Sequence, residues 1–155
     1  MFIVAFIAQR ITVVGSSMYP ALENGDNLFV NKLAYKISEP ERFDVIVFPY
    51  RYGHGEHYIK RIIGLPGEEV YIDNSGSIYI NGELLTENYG REVIQDAGAA
   101  SCPIQLGPDE YFVLGDNRNH SADSRDLSVG NVKQSEIIGK VSLRIWPLNA
   151  FGSIR

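Results

Sequence analysis

Apolar and polar positions alternate along much of the chain with a period of two, the spacing of strands whose side chains point to opposite faces in turn. Runs rich in β-branched and aromatic residues recur as TVV, NLFVNKLAY, DVIVFPY, HYIKRII, EVYID, SIYI, YFVLG and KVSLRIW, separated by Gly, Pro, Asn and Asp. Segments with a helical period are scarce, so the pattern predicts a mostly β protein. Two hairpins are readable, one through Asn74, Ser75 and Gly76 and one through Asn81-Gly82, a favoured two-residue turn. The expected architecture is two antiparallel β-sheet domains. A β core over residues 10–66 and 108–150 is interrupted by a smaller β subdomain over 67–107, which ends in the strand-poor VIQDAGAASCPIQLGP. Residues 151–155 are expected to form a tail.

The amino end, MFIVAFIA, is apolar for eight residues before Gln9 and Arg10, well short of the ~20 that cross a bilayer. It reads either as a core strand or as the end of a membrane helix, and residues 1–9 form a unit of their own on the second reading. It lacks the basic start and cleavage site of a signal peptide. Near the carboxyl end, Trp146, Leu148 and Phe151 fall close together, which suits either a membrane interface or a core.

Composition narrows the function. The 155 residues, 45% of them hydrophobic, suffice for one compact core or a core with a small subdomain. A net charge of −5, with no basic cluster beyond Lys60-Arg61, argues against a nucleic-acid partner. One cysteine, Cys102, excludes an intrachain disulfide, and with His54, His57 and His120 it makes no metal-ligand spacing. No metal or cofactor is implied.

The chemistry centres on Lys60, in the apolar run YIKRIIGLPGE. As a strand, this run puts Tyr58, Lys60 and Ile62 on one face and Ile59, Arg61 and Ile63 on the other. Apolar neighbours strip water from the ammonium and lower its pKa from ~10.4. Near pH 8 a largely neutral amine requires a differential cost of about 3 kcal/mol, which burial can supply. An isolated strand lysine more often covers apolar surface with its stem and keeps its head in water. Here the flanking segments favour a general base. GSSMYPAL is a tight loop between apolar runs, able to expose a serine at a strand end; the residues alone do not separate Ser16 from Ser17. GDNRNHSADSR packs Asp116, Arg118, Asp123, Arg125 and Asp126 behind YFVLG, a loop held by charge pairs. Its Ser121 hydroxyl suits the third role in a nucleophile, base and orienter arrangement.

The blocks GSSMYPAL, GDNLFVNKLAY, YIKRIIGLPGE and GDNRNHSADSR, in this order from Gly15 to Arg125, together resemble the bacterial type I signal peptidases. The tail IIGKVSLRIWP is similar to that family's closing strand. The resemblance implies a membrane-anchored Ser/Lys protease whose catalytic domain lies on the extracytoplasmic side. It matches Ser17 to the nucleophile, Lys60 to the base and Ser121 to the hydroxyl that orients the lysine. Asp116, Asp123 and Arg125 match supporting charges, with Arg61 as partner of Asp116, while Met18, Pro20, Gly115, Asn117 and Arg118 match positions that shape the site. Where some members carry an oxyanion-binding serine, this chain has Gly15. The backbone N–H of Ser17 is then one expected oxyanion donor, with the Gly15 amide or a water as the second.

The implied partners are preproteins bearing signal peptides, and membrane lipid. A substrate bound as an added strand points its first and third residues before the cut to one face, which shallow pockets convert into an A-x-A requirement. Val13, Val14, Met18, Pro20 and Ile59 are the candidate walls. Three other readings compete. A Ser-His-Asp enzyme needs a histidine beside Ser17, and only His120 has suitable context. A self-cleaving protease of the SOS-repressor type needs a cleavable segment and usually a DNA-binding half. A membrane-adjacent β-domain would bind extended peptides without cutting them.

Overall fold

The computed structural model describes residues 7–155. Among these residues, twelve strands form two antiparallel sheets. The large sheet has the order β1 (Ala8–Thr12), β2 (Asn27–Asn31), β11 (Gly139–Trp146), β3 (Val45–Pro49), β4 (His57–Gly64), β9 (Glu110–Leu114) and β10 (Val132–Lys133), with β12 (Gly152–Ser153) against β11. The small sheet runs β7 (Glu83–Leu84), β6 (Ile78–Ile80), β5 (Glu69–Ile72) and β8 (Ile104–Gln105). The large sheet thus takes strands from both before and after residues 67–107. Its limits are wider than the expected core, for Ala8 and Gln9 are in β1, and Ile154 packs on the core beyond β12. Of the apolar amino end, residues 1–6 lie outside the described residues.

β4 carries the alternation its sequence predicts. Ile62 and Tyr58 join Ile46, Phe48, Tyr111 and Val113 in one cluster, whereas Ile59 packs with Val13, Met18, Leu28 and Val47 in another. At the far end of β4, Ile63 enters a third cluster with Val70, Ile72, Ile78 and Ile80 of the small sheet. The two sheets therefore share a core. Gly64 sits where they meet: a Cβ there would come within 2.6 Å of Val70 and 2.8 Å of Leu106, so only glycine permits the approach.

Both predicted hairpins form. Asp73 accepts from the N–H groups of Ser75 and Ser77 around the first. In the second, Asn81 and Gly82 both take positive φ, the twist that a two-residue turn requires. One predicted strand is cut short. NLFVNKLAY leaves the sheet at Asn31, whose Oδ1 accepts from the N–H groups of Leu33 and Ala34 and turns the chain into a helical turn, α1 (Ala34–Ile37). Trp146, Leu148 and Phe151 are all exposed, so they do not pack in the core. No helix among the described residues is long and apolar enough to cross a membrane.

Candidate active site

Three elements converge on Ser17. The first is its own loop, where Val13 N–H donates to the Asp26 carbonyl and Gly25 N–H returns to the Val13 carbonyl, closing the base. The second is β4, which places Lys60 Nζ 2.8 Å from Ser17 Oγ, with Nζ donating there and to the Ile59 carbonyl at 3.1 Å. Lys60 is 3% exposed, faces Ile46 across the β3–β4 pair, and holds its ammonium 5.0 Å from the Tyr58 ring centroid. Burial pushes its pKa down to about 8, while the charges of Asp123 and Asp116 pull it back upward. Near that pH about half the amines are neutral and carry a free lone pair.

The third element is the loop after β9. Asn117 N–H donates to the Ser17 carbonyl at 3.0 Å, and its Nδ2 donates to the Ser16 carbonyl. Gly115 lies so close that a Cβ would overlap the Ser121 hydroxyl and approach the Ser17 carbonyl to 2.5 Å. The charge-paired scaffold predicted for this loop is present. Asp123 accepts from Gly115 N–H and from Arg125 through both carboxylate oxygens. Arg125 also donates to the Arg118 carbonyl, and Arg118 to the Gly115 carbonyl. Arg61, fully buried, grips Asp116 through two hydrogen bonds of 2.9 and 2.8 Å. Such fork-to-fork pairs fix orientation as well as charge.

Two expectations need correction. The Gly15 N–H is occupied, donating to Asn24 Oδ1 at 2.8 Å, so it is not free as a second oxyanion donor. The Ser17 N–H has no protein acceptor among the described residues and stays available. Pro20 is exposed and does not line the substrate groove, because the chain has already turned away behind Met18. Ser121 does not hydrogen-bond Lys60 here. Its Oγ is buried with no partner among the described residues.

A cavity of about 540 Å³ opens beside the dyad, between the end of β1 and the start of β4. Val13, Val14, Met18 and Ile59 line it as expected, with Ser17 and Lys60 at its wall. Ile11, Thr12, Glu56, His57, Tyr58 and Ala122 complete the lining. Its apolar character and size suit a few small side chains of an extended peptide. Among the described residues no histidine hydrogen-bonds Ser17; His120 is exposed, which removes the Ser-His-Asp reading.

The sequence reading missed a further layer. Phe43, at φ 73°, turns its carbonyl to accept from Arg61 Nη1, and the Tyr89 ring covers the Arg61 guanidinium at 3.9 Å. Glu87 holds Arg118 with two hydrogen bonds. These residues lie in TENYGREV, a stretch without strand character or catalytic motif.

The sequence profile of the family described as "Signal peptidase, peptidase S26" matches residues 1–146. Signal peptidase I of Bacillus caldolyticus is 40% identical over 94% of this chain and 84% of its own length. That of Leptolyngbya laminosa is 38% identical over 96% of this chain and 74% of its own. The crystal structure of a signal peptidase I from Enterococcus faecalis V583 superposes with a TM-score of 0.56 at 38% identity, covering 68% of this chain and 98% of that one. A serine and a buried lysine in hydrogen-bond contact beside an apolar groove, on a fold and sequence this similar, place the chain in the S26 family of signal peptidases, which are serine endopeptidases.

Proposed function

We propose that the chain performs its family's removal of signal peptides from preproteins through an acyl-enzyme on Ser17, with Lys60 as general base. The observation that carries this reading is the 2.8 Å contact between Lys60 Nζ and Ser17 Oγ, made by a lysine shielded from water. With the amine neutral, the hydroxyl donates to the nitrogen lone pair. Ser17 Oγ then attacks the scissile carbonyl as its proton passes to Nζ. The oxygen that becomes negative receives the Ser17 N–H. The new ammonium protonates the departing amine, and the C–N bond breaks to release the mature protein. Lys60, neutral again, takes a proton from water, whose oxygen attacks the ester; as the ester C–O bond breaks, the ammonium returns that proton to Ser17 Oγ and the signal peptide leaves as its carboxylate.

A signal peptide ending in A-x-A fits the groove lined by Val13, Val14, Met18 and Ile59, with its first and third residues before the cut facing those walls. Ser121 orients the lysine during turnover, a role its buried, unpartnered hydroxyl beside Gly115 supports. Exposed Trp146, Leu148 and Phe151 meet membrane lipid, on the extracytoplasmic side where preproteins emerge.

The test is cleavage of a detergent-solubilised precursor whose signal segment ends in A-x-A, followed by product mass. Wild type is expected to cut after the second Ala and Lys60→Met not to cut. Equal turnover by Lys60→Met would transfer the base role elsewhere.

A further inference from the structure

Residues 86–91 belong to no strand or helix, yet burial alternates over 86–89, with Thr86 and Asn88 exposed and Glu87 and Tyr89 half-buried, before Arg91 emerges at the surface. Three residues at alternate positions each hold a different segment of the site. The Glu87 carboxylate takes both terminal nitrogens of Arg118, at 2.7 and 3.1 Å, with both side chains nearly buried. The Tyr89 ring lies 3.9 Å from the Arg61 guanidinium and packs at a 39° tilt, 4.9 Å between ring centroids, against Phe43, whose carbonyl is another Arg61 partner. The Arg91 guanidinium lies 4.7 Å from the Tyr19 ring, and the Arg91 N–H donates to the Asp116 carbonyl. Between them, Gly90 passes so close to Arg118 that a Cβ would come within 3.0 Å of Nη1.

Each contact leads to the dyad in one or two steps. Arg118 donates to the Gly115 carbonyl, and Gly115 abuts the Ser17 carbonyl. Arg61 is the neighbour of Lys60 in β4 and locks Asp116. Tyr19 is two residues from Ser17 in the same tight loop, where Tyr19 N–H donates to the Ser16 carbonyl. The nucleophile, the base and the supporting loop lie on three different segments, so their relative placement depends on whatever joins those segments. We infer that Glu87–Arg91 is a clasp that sets the Ser17–Lys60 geometry, with Glu87, Tyr89 and Arg91 as positioning residues that never touch substrate. Proton transfer requires hydrogen-bond reach, and a displacement of about 1 Å at the reacting atoms costs ~100-fold in rate. The inserted subdomain is thereby part of the catalytic apparatus, since its chain supplies the clasp.

This inference rests on the Ser17/Lys60 reading. The test uses the full chain and the A-x-A precursor, measuring kcat, KM and thermal midpoint for Tyr89→Leu, Tyr89→Phe, Arg91→Ala and Lys60→Met. Tyr89→Leu is expected to lose about tenfold in kcat at unchanged KM, with Tyr89→Phe restoring it, because the contact with Arg61 uses the ring face and not the hydroxyl. Arg91→Ala, at a partly exposed side chain whose loss leaves the fold intact, is expected to lose about threefold in kcat. Wild-type kcat in folded Tyr89→Leu and Arg91→Ala would overturn the clasp, as would a Phe variant as slow as the Leu variant. If Tyr89→Leu does not fold, Arg91→Ala decides alone. Turnover by Lys60→Met at the wild-type rate would instead overturn the dyad reading, whatever the clasp variants do.

Discussion

Lys60 and Arg61 are consecutive cations in β4, both buried, and only Arg61 has a carboxylate bound to it. The strand pleat sends them to opposite faces, so burial does opposite things to the two. Arg61 has its charge matched by Asp116, which supplies both acceptors. Lys60 hydrogen-bonds only a serine and a backbone carbonyl, so burial outweighs the more distant charges of Asp123 and Asp116 and makes the neutral amine accessible.

The pH dependence follows from this difference. Below about 8 Lys60 is an ammonium and cannot accept the serine proton, so kcat/KM is expected to rise with pH and level off above that value. An activity flat from pH 5 to 9 would contradict a neutral-lysine base. Stability moves with the same proton: the unfolded chain holds it up to the ordinary lysine value of 10.5 and the folded chain only to about 8. Unfolding free energy should therefore increase with pH across that window, by an order of magnitude of ~3 kcal/mol. Lys60→Met should lack the increase in urea denaturation series run at each pH.

Asp116→Asn leaves the Arg61 guanidinium buried beside a neutral amide. Unfolding free energy is expected to drop by about 3 kcal/mol, typical of breaking a buried pair from one side. Replacing both partners, as Arg61→Met with Asp116→Leu, should recover much of that loss. Activity should remain low in the double variant, since the loop that carries Asn117 to the Ser17 carbonyl is no longer anchored to β4.

Gly115→Ala tests the closest approach in the site. The added methyl must displace either the Ser121 hydroxyl or the Ser17 backbone. The expected cost is about 1–3 kcal/mol of stability and about 100-fold in kcat, read by thermal unfolding and by precursor cleavage under saturating substrate.

Ser121→Ala separates a structural hydroxyl from a functional one. Because Ser121 Oγ has no partner among the described residues, its removal breaks no hydrogen bond seen there and should leave stability within ~1 kcal/mol. If the hydroxyl orients Lys60 during turnover, kcat falls at least about tenfold, within the range of positioned proton transfer. Unchanged kcat would confine Ser121 to filling space beside Gly115.

Much of this site was legible before any coordinates. The alternation in HYIKRII placed Lys60 and Arg61 on opposite faces, and the charged residues of GDNRNHSADSR announced a paired loop. Asn81-Gly82 specified its hairpin locally, because positive φ at both positions is a property of the residues themselves. What escaped was decided by particular side-chain partners, near and far along the chain. Strand character in NLFVNKLAY ended where the Asn31 side chain captured two backbone N–H groups. The Gly15 amide was taken by Asn24, nine residues on. Glu87, Tyr89 and Arg91 acquire their roles only from Arg118, Arg61 and Tyr19, and neither propensity nor periodicity encodes such pairings.

The large sheet is threaded through the insertion, and this bears on when the enzyme becomes active. Ser17 and Lys60 are 43 residues apart, and Arg61 and Asp116 are 55 apart. Contacts this remote close late, after the intervening chain has paid its loop entropy. With the large sheet open, Ser17 and Lys60 belong to unconnected segments, so their 2.8 Å contact exists only once β4 has paired with its neighbours.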